Sequence, residues 1–158
     1  MKGHHVTAEQ RLKDLGIELP AIGKPKFTYV PFQRAGDIVF LAGQVPRLPD
    51  GSYLTGKLGQ DTSVEAGKAA ARLCGLHMLA SAKAVTGSLE DVQFLKLFGM
   101  VNAIPEFREH GQVIEGCSEL LVEILGERGN HARSAVGMGS LPSGIRVEIE
   151  AVLQVTKS

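Results

Sequence analysis

The C-terminal stretch of the chain alternates almost perfectly between apolar and polar positions. Ile145, Val147, Ile149, Ala151, Leu153 and Val155 fall on one face, and Arg146, Glu148, Glu150 and Gln154 on the other. A period of two with β-branched residues predicts a half-buried strand. Ala132 to Met138 reads as a second strand, and Gly139-Ser-Leu-Pro-Ser-Gly144 between them is turn chemistry. The simplest pairing is an antiparallel hairpin. It puts Arg133 opposite Glu148, or opposite Glu150 if the centre lies one residue later, and directly opposed residues share a face. Two readings stand side by side. One is a cross-strand ion pair on a solvated face, worth about 0–1 kcal/mol. The other is a fixed fork for a substrate carboxylate beside a proton-transfer carboxylate.

Upstream, the pattern predicts the remaining elements. Thr7-Ala-Glu-Gln10 is a capping-box pattern opening a short helix to about Leu15, closed by Gly16 and Pro20. Leu12, Leu15 and Ile17 are expected to pack this arm onto the body. Phe27 to Phe32 and Asp37 to Ala42 read as a hairpin, with Pro31 placing the first strand at an edge. Gly43 follows directly. A glycine there permits close approach of a ligand, and an exposed N–H could polarise a substrate atom; a plain strand-ending turn needs glycine equally. Arg47 to Gln60 reads as a loop with a short strand near Tyr53. Thr62 to Val85 is a long helix, capped by Thr62 or Ser63, whose small residues Ala66, Ala69, Ala70, Ala80 and Ala84 suit close approach to a sheet. His77 on that face reads as a satisfied, semi-buried histidine. Val92 to Val101 is an apolar, central strand. Gln112 to Leu125 is a second helix with Val113, Cys117, Leu120 and Ile124 in one stripe. Glu115 lies at the edge of that stripe, next to Gly116, Ser118 and Glu119, which look exposed. The order ββαβαββ predicts an α+β layer, one mixed sheet covered by two helices. Residues 1–158 read as one domain, with 1–20 as a helical arm.

Charge and composition narrow the function. Net charge is zero, from 17 basic and 17 acidic side chains, so no global pull toward nucleic acid or an anionic membrane is expected. There is no Trp, and aromatics make up 5% of the chain, which weakens any base-stacking platform. No window approaches a membrane span, and the first ten residues have no apolar run of a signal peptide. Cys74 and Cys117 stand alone, without metal-type spacing, as expected of reduced, buried thiols in a cytoplasmic protein. The five histidines, including His4-His5, form no ligand set, so no metal is expected.

Ala132-Arg-Ser134, the Leu141-Pro142 turn and Val147-Glu-Ile-Glu-Ala151 resemble the C-terminal signature of the RidA/YjgF family, reactive intermediate deaminases also called L-PSP endoribonucleases. Leu41-Ala-Gly-Gln-Val-Pro46 resembles its N-terminal motif, and the resemblance runs over roughly residues 20–156. Gly126-Glu-Arg-Gly-Asn-His-Ala-Arg-Ser-Ala-Val-Gly137 is similar to a distinct subgroup. The resemblance implies a chorismate mutase-like fold of the trimeric type, a homotrimer with sites between subunits, and a small carboxylate-bearing ligand. It implies hydrolysis of 2-imino acids or their enamine tautomers to keto acids and ammonia, without a cofactor. Carried over residue by residue, Arg133 matches the carboxylate-holding arginine, Glu148 its acidic partner, Gly43 the motif glycine and Tyr29 the aromatic residue at the rim. Three positions depart from the pattern: Ala42 replaces a serine, Glu115 an asparagine and Ala135 a cysteine. Cleavage of single-stranded RNA and a non-catalytic trimer that binds small acids are the alternatives.

Overall fold

The structure is a computed structural model that describes residues 5–157; Met1 to His4 and Ser158, and with them the first of the paired histidines, lie outside it. After helix α1 (Ala8–Asp14) come strands β1 (Phe32–Ala35) and β2 (Ile38–Gln44), helix α2 (Val64–Thr86), strand β3 (Val92–Asn102), helix α3 (His110–Leu125), and strands β4 (Ala132–Met138) and β5 (Val147–Val155). The strands form one sheet in the order β1-β2-β5-β3-β4. All neighbours are antiparallel except β3 and β4, which are parallel. Helices α2 and α3 cover one face. This is the α+β layer that the element order predicts.

The alternation in β5 has the expected result. Val147, Ile149, Ala151, Leu153 and Val155 are buried beneath the helices, and Glu148, Glu150, Val152 and Gln154 face the other way. At about 25 cal/mol per Å² of apolar surface, such burial is what holds the layer together. In β3 a bulge at Leu95 shifts the register between Phe94 and Lys96. That is why Phe94 and Leu97, three apart, both point into the core, fully buried. Phe94, Leu97, Val147 and Ile149 are therefore core residues under the helices. The uncovered face instead carries Phe40, Phe98, Met100 and Val152.

The expected β4–β5 hairpin does not form. β3 lies between the two strands, paired with both. The physical reason is α3. A strand, a covering helix and a second strand return the chain in the same direction, so β4 must lie parallel to β3. The link from β4 to β5 then passes over the end of β3, where Thr55 pairs with Ile145 and the Asn102 N–H donates to the Arg146 carbonyl at 2.9 Å.

Local signals elsewhere hold with small shifts. Thr7 accepts from the Gln10 N–H and Ser63 from the Ala66 N–H, each at 3.1 Å, capping α1 and α2. Gly87, left-handed at φ 79°, ends α2. In the arm, Leu12 is buried and Ile17 packs on the core, but Leu15 is exposed. β1 starts at Phe32, not Phe27. Pro31 has no N–H to give a ladder, though its carbonyl accepts from Ala42 at 2.9 Å. The small residues of α2 serve α3 more than the sheet. At Gly116 an added Cβ would lie 2.1 Å from the Lys68 carbonyl oxygen, so α2 and α3 cross with backbones nearly touching. Ala69 is exposed. His77 is buried, and its Nε2 donates to the Arg47 carbonyl at 2.9 Å.

Candidate active site

Arg133 is the second residue of β4, an edge strand, and pairs in register with Leu97. Leu97 is buried under the helices, so Arg133 points to the helix side as well. There it meets α3. Its Nη1 donates to Glu115 Oε2 at 2.8 Å and to Ser118 Oγ at 3.0 Å, and its Nη2 donates to the Gly111 carbonyl at 3.1 Å. Glu115 and Ser118 stand three apart on one helix face, which lets both reach the same guanidinium. The pair is half-open: the Arg133 side chain is 26% exposed and that of Glu115 42%.

Behind it runs a chain of hydrogen bonds. His131 Nδ1 lies 2.6 Å from the Gly129 carbonyl oxygen, and its Nε2 lies 2.8 Å from Ser118 Oγ. A carbonyl only accepts, so Nδ1 carries a proton. In the neutral ring Nε2 is then an acceptor, the Ser118 hydroxyl donates to it, and the serine oxygen is free to accept from Arg133. The order Gly129 C=O, His131, Ser118, Arg133, Glu115 fixes the plane of the guanidinium from behind.

Glu148 stands on the other face. It pairs with Met100, and its neighbours Val147 and Ile149 are buried under the helices. Its carboxyl rests on β2, where Ala42 and Gly43 stand as a bulge against Glu150, between the pairs Leu41–Ala151 and Gln44–Ile149. An ideal Cβ on Gly43 would lie 3.0 Å from Glu148 Cδ. Only glycine leaves room for the carboxyl to lie so close to the strand. Burial raises the Glu148 pKa above the ordinary carboxylate value, and the like charge of Glu150 adds to the shift.

The site residues read from the sequence thus fall into two groups. The structure brings Arg133 and Glu115 together, and separately Gly43, Ala42 and Glu148. It does not bring Arg133 to Glu148 or to Glu150: they lie on opposite faces of one sheet. The hairpin reading is corrected here, because β3 separates the strands and parity puts the two side chains on different sides. Ala135 is half-buried, pairs with Gly99 and packs on the core. Tyr29 stands in the irregular segment before β1, 55% exposed, close in sequence to Phe27, which is 83% exposed. Ser118, read as exposed, is buried, and so is Gly116. Ser118, His131 and the Gly111 carbonyl were missed as site residues. The spacing of three from Glu115 and of two from Arg133 was the available signal.

Two other features carry no comparable chemistry. A hollow of about 650 Å³ lies between the arm and α2, lined by Leu12, Ile17, Ala80 and Ala84; its Glu9 and Lys83 are tied to each other at 2.8 Å. Arg128, in the stretch before β4, donates to the carbonyls of Leu89 and Val92 and to Glu90, fastening the end of α3 to the start of β3. Among the described residues, no three His, Cys, Asp or Glu side chains converge as metal ligands, and no helix is long and apolar enough to cross a membrane.

Comparison with known proteins gives a consistent result. The model of the family described as "YjgF/chorismate mutase-like, putative endoribonuclease" matches residues 9–145. Protein TCP17 of Trypanosoma cruzi is 39% identical over 146 residues, covering 91% of each chain. The crystal structure of Atu1372 from Agrobacterium tumefaciens, a protein of unknown function, is 42% identical, with a TM-score of 0.85 and 94% of each chain covered. The crystal structure of a putative endoribonuclease from Shewanella oneidensis is 32% identical, with a TM-score of 0.90, covering 94% of this chain and 99% of that one.

Proposed function

The chain belongs to the YjgF/chorismate mutase-like family, and from that premise we propose that it is a cofactor-independent hydrolase that deaminates an imine or enamine. The observation that carries this reading is Glu148. A carboxyl lodged on a glycine bulge, with its pKa raised by burial and by Glu150, is placed to take and return a proton. Arg133, held by α3, supplies a rigid donor to orient the substrate. These are the two parts that imine hydrolysis needs.

The reaction is a water addition followed by an elimination. Water, oriented by Glu148, attacks the C=N carbon and gives its proton to the carboxylate. Glu148 returns that proton to the nitrogen. The carbinolamine then collapses: Glu148 takes its hydroxyl proton and passes it to the nitrogen as the C–N bond breaks, so both protons of the water leave on ammonia and a carbonyl product remains. An enamine enters the same path after protonation at carbon. The donor for the developing charge in this reading is the backbone N–H of Gly43, since that of Ala42 is held by the Pro31 carbonyl.

One chain cannot perform this alone, because Arg133 and Glu148 face opposite ways. The site therefore forms between copies, with the Arg133 edge of one chain meeting the Gly43–Glu148 face of the next. A cyclic homotrimer satisfies that geometry for every site at once. It would also cover Phe40, Phe98, Met100 and Val152 on the open sheet face, and give the exposed Phe27 and Tyr29 a neighbour to meet.

Ammonia release from a freshly generated 2-imino acid, and from the corresponding carboxamide, tests the activity. Acceleration over buffer with at least one of them is expected, reduced about 10²–10⁴-fold in Glu148→Gln. No acceleration with either, or full activity in Glu148→Gln, would overturn the reading. Cleavage of labelled single-stranded RNA by the same preparation would favour an endoribonuclease instead. Mixing Arg133→Ala with Glu148→Gln tests the shared site: subunit exchange should restore about a quarter of the sites.

A further inference from the structure

From the contacts of Arg133 we infer that Glu115 turns this site away from carboxylates and toward an uncharged group with one acceptor and one donor, a carboxamide or ureido group. The inference rests on the reading that Arg133 lines the substrate pocket.

Three acceptors surround the guanidinium, and they are not alike. Ser118 Oγ and the Gly111 carbonyl are neutral and only position it. Glu115 brings a full negative charge to within 2.8 Å of Nη1. The pair sums to zero, so the cation that would attract a substrate carboxylate is already balanced. A second carboxylate at Arg133 would stand beside Glu115 and be repelled.

What the pair leaves unused is one donor and one acceptor. Among the described residues, nothing engages Arg133 Nε, and nothing engages Glu115 Oε1. Both side chains keep part of their surface exposed at this edge. A primary amide matches that pattern: its carbonyl accepts from the guanidinium, and its NH₂ donates to Oε1. A carboxylate has two acceptors and no donor, and leaves Oε1 facing an oxygen. An ammonium group meets Arg133 with the same fault. A site built to pair with a polar group rejects an analogue that cannot complete the pairing.

The chemistry balances without an added reagent. A 2-imino carboxamide and water give a 2-oxo carboxamide and ammonia. The water oxygen bonds to the imine carbon, and both its protons pass by way of Glu148 to nitrogen, the first on addition and the second as the C–N bond breaks. Nothing is oxidised or reduced.

Pyruvate and pyruvamide differ only in the group at issue, and both are products of such reactions. Titration calorimetry of the assembled protein should show pyruvamide bound at least tenfold more tightly than pyruvate. In Glu115→Gln the side-chain oxygen still accepts from Arg133 and the charge is gone; pyruvate affinity should then rise at least tenfold. Arg133→Ala should lose both ligands. Wild-type protein that binds pyruvate as well as pyruvamide, or that binds neither, overturns the inference, and this arm needs no variant to fold. An unchanged preference in Glu115→Gln overturns it too. Ammonia release separates the two readings. Equal rates with the imines of both compounds would keep the deaminase and remove the selectivity. A preference for pyruvamide without any ammonia release would do the reverse.

Discussion

A methyl group added at Gly43 tests whether Glu148 works from its place on the β2 bulge. An ideal Cβ there lies 3.0 Å from Glu148 Cδ and 3.1 Å from both Cγ and Oε1. Relaxed carbon contacts sit at about 3.5–4.0 Å, so the carboxyl must retreat by about 0.5–1 Å. The backbone is no obstacle, since Gly43 is absent from the glycines with positive φ. Glu148 is half-buried rather than enclosed and can swing aside, so the strain relaxes more easily than in a closed core. The stability loss should stay near the low end of overpacking, about 1 kcal/mol. For a chain of this size that corresponds to about 2–4 °C in Tm. The chemical cost is larger, because a 1 Å misplacement of a reacting group costs about 100-fold. Gly43→Ala should therefore lower kcat for ammonia release by about 10- to 100-fold while Tm changes by only a few degrees. Ammonia-release kinetics and calorimetric melting on the same sample check both halves. An unchanged kcat would refute the role given to the bulge. A fall in Tm of more than about 10 °C would show that backbone, not the Glu148 side chain, absorbs the clash.

Arg133→Lys should weaken pyruvamide binding nearly as much as Arg133→Ala, because lysine keeps the charge and loses the planar fork that Glu115, Ser118 and Gly111 hold; calorimetry on the two variants checks it. Glu148→Gln should raise stability at neutral pH. The folded pKa of Glu148 lies above its ordinary value, so its contribution is fully present below the unfolded pKa and is lost as pH rises through the folded one. The gain in Tm should be about 2–4 °C at most at pH 7, and vanish at pH 4 and below, where both forms of the site are neutral. Cys74 and Cys117 are fully buried, and burial pushes the Cys117 thiol up to about 12 and the Cys74 thiol well above its ordinary value. Neither should react with a thiol reagent at pH 8 in the native protein, and both should react in denaturant.

How far the sequence carries depends on whether a feature is local. The inward face of β5, the Ser63 cap, the Gly87 stop and the buried stripe of α3 are decided by residues within a few positions of one another. Each was legible, and each is in place. Ser118 was misread for a related reason. Its stripe was traced by hydrophobicity, and a serine does not extend such a stripe. Yet the helix buries Ser118 beside Ile114 and Cys117, where it joins Arg133 to His131. A polar residue adjoining an apolar stripe, three positions from a glutamate, is as much a sign of a buried network as of a wet surface. The N-terminal strand erred in the other direction: the apolar run from Phe27 invites a strand, and among the described residues nothing covers Phe27 or Tyr29.

The pairing of β4 was the larger error, and it changed the meaning of the site. Parity along a strand is a local property; which strand lies beside it is not. The turn residues Gly139 to Gly144 fit a hairpin, but α3 had already committed β4 to run parallel to β3. With that constraint, the position of Arg133 follows from one register pair. It lies opposite Leu97, Leu97 lies opposite Ala151, and Ala151 is on the buried side of β5. Glu148, three residues earlier, must then be on the other side. A hairpin would have made Arg133 and Glu148 a surface ion pair worth about 0–1 kcal/mol and explained both. The sheet as it stands gives each a separate local partner: a carboxylate on α3 for the arginine, a bulge glycine for the glutamate. Among the described residues no cation lowers the pKa of the acid, and the cation has an acid it does not need for proton transfer. Each half keeps a group that a single chain leaves without work, which is the argument for the proposal that the two halves meet between copies.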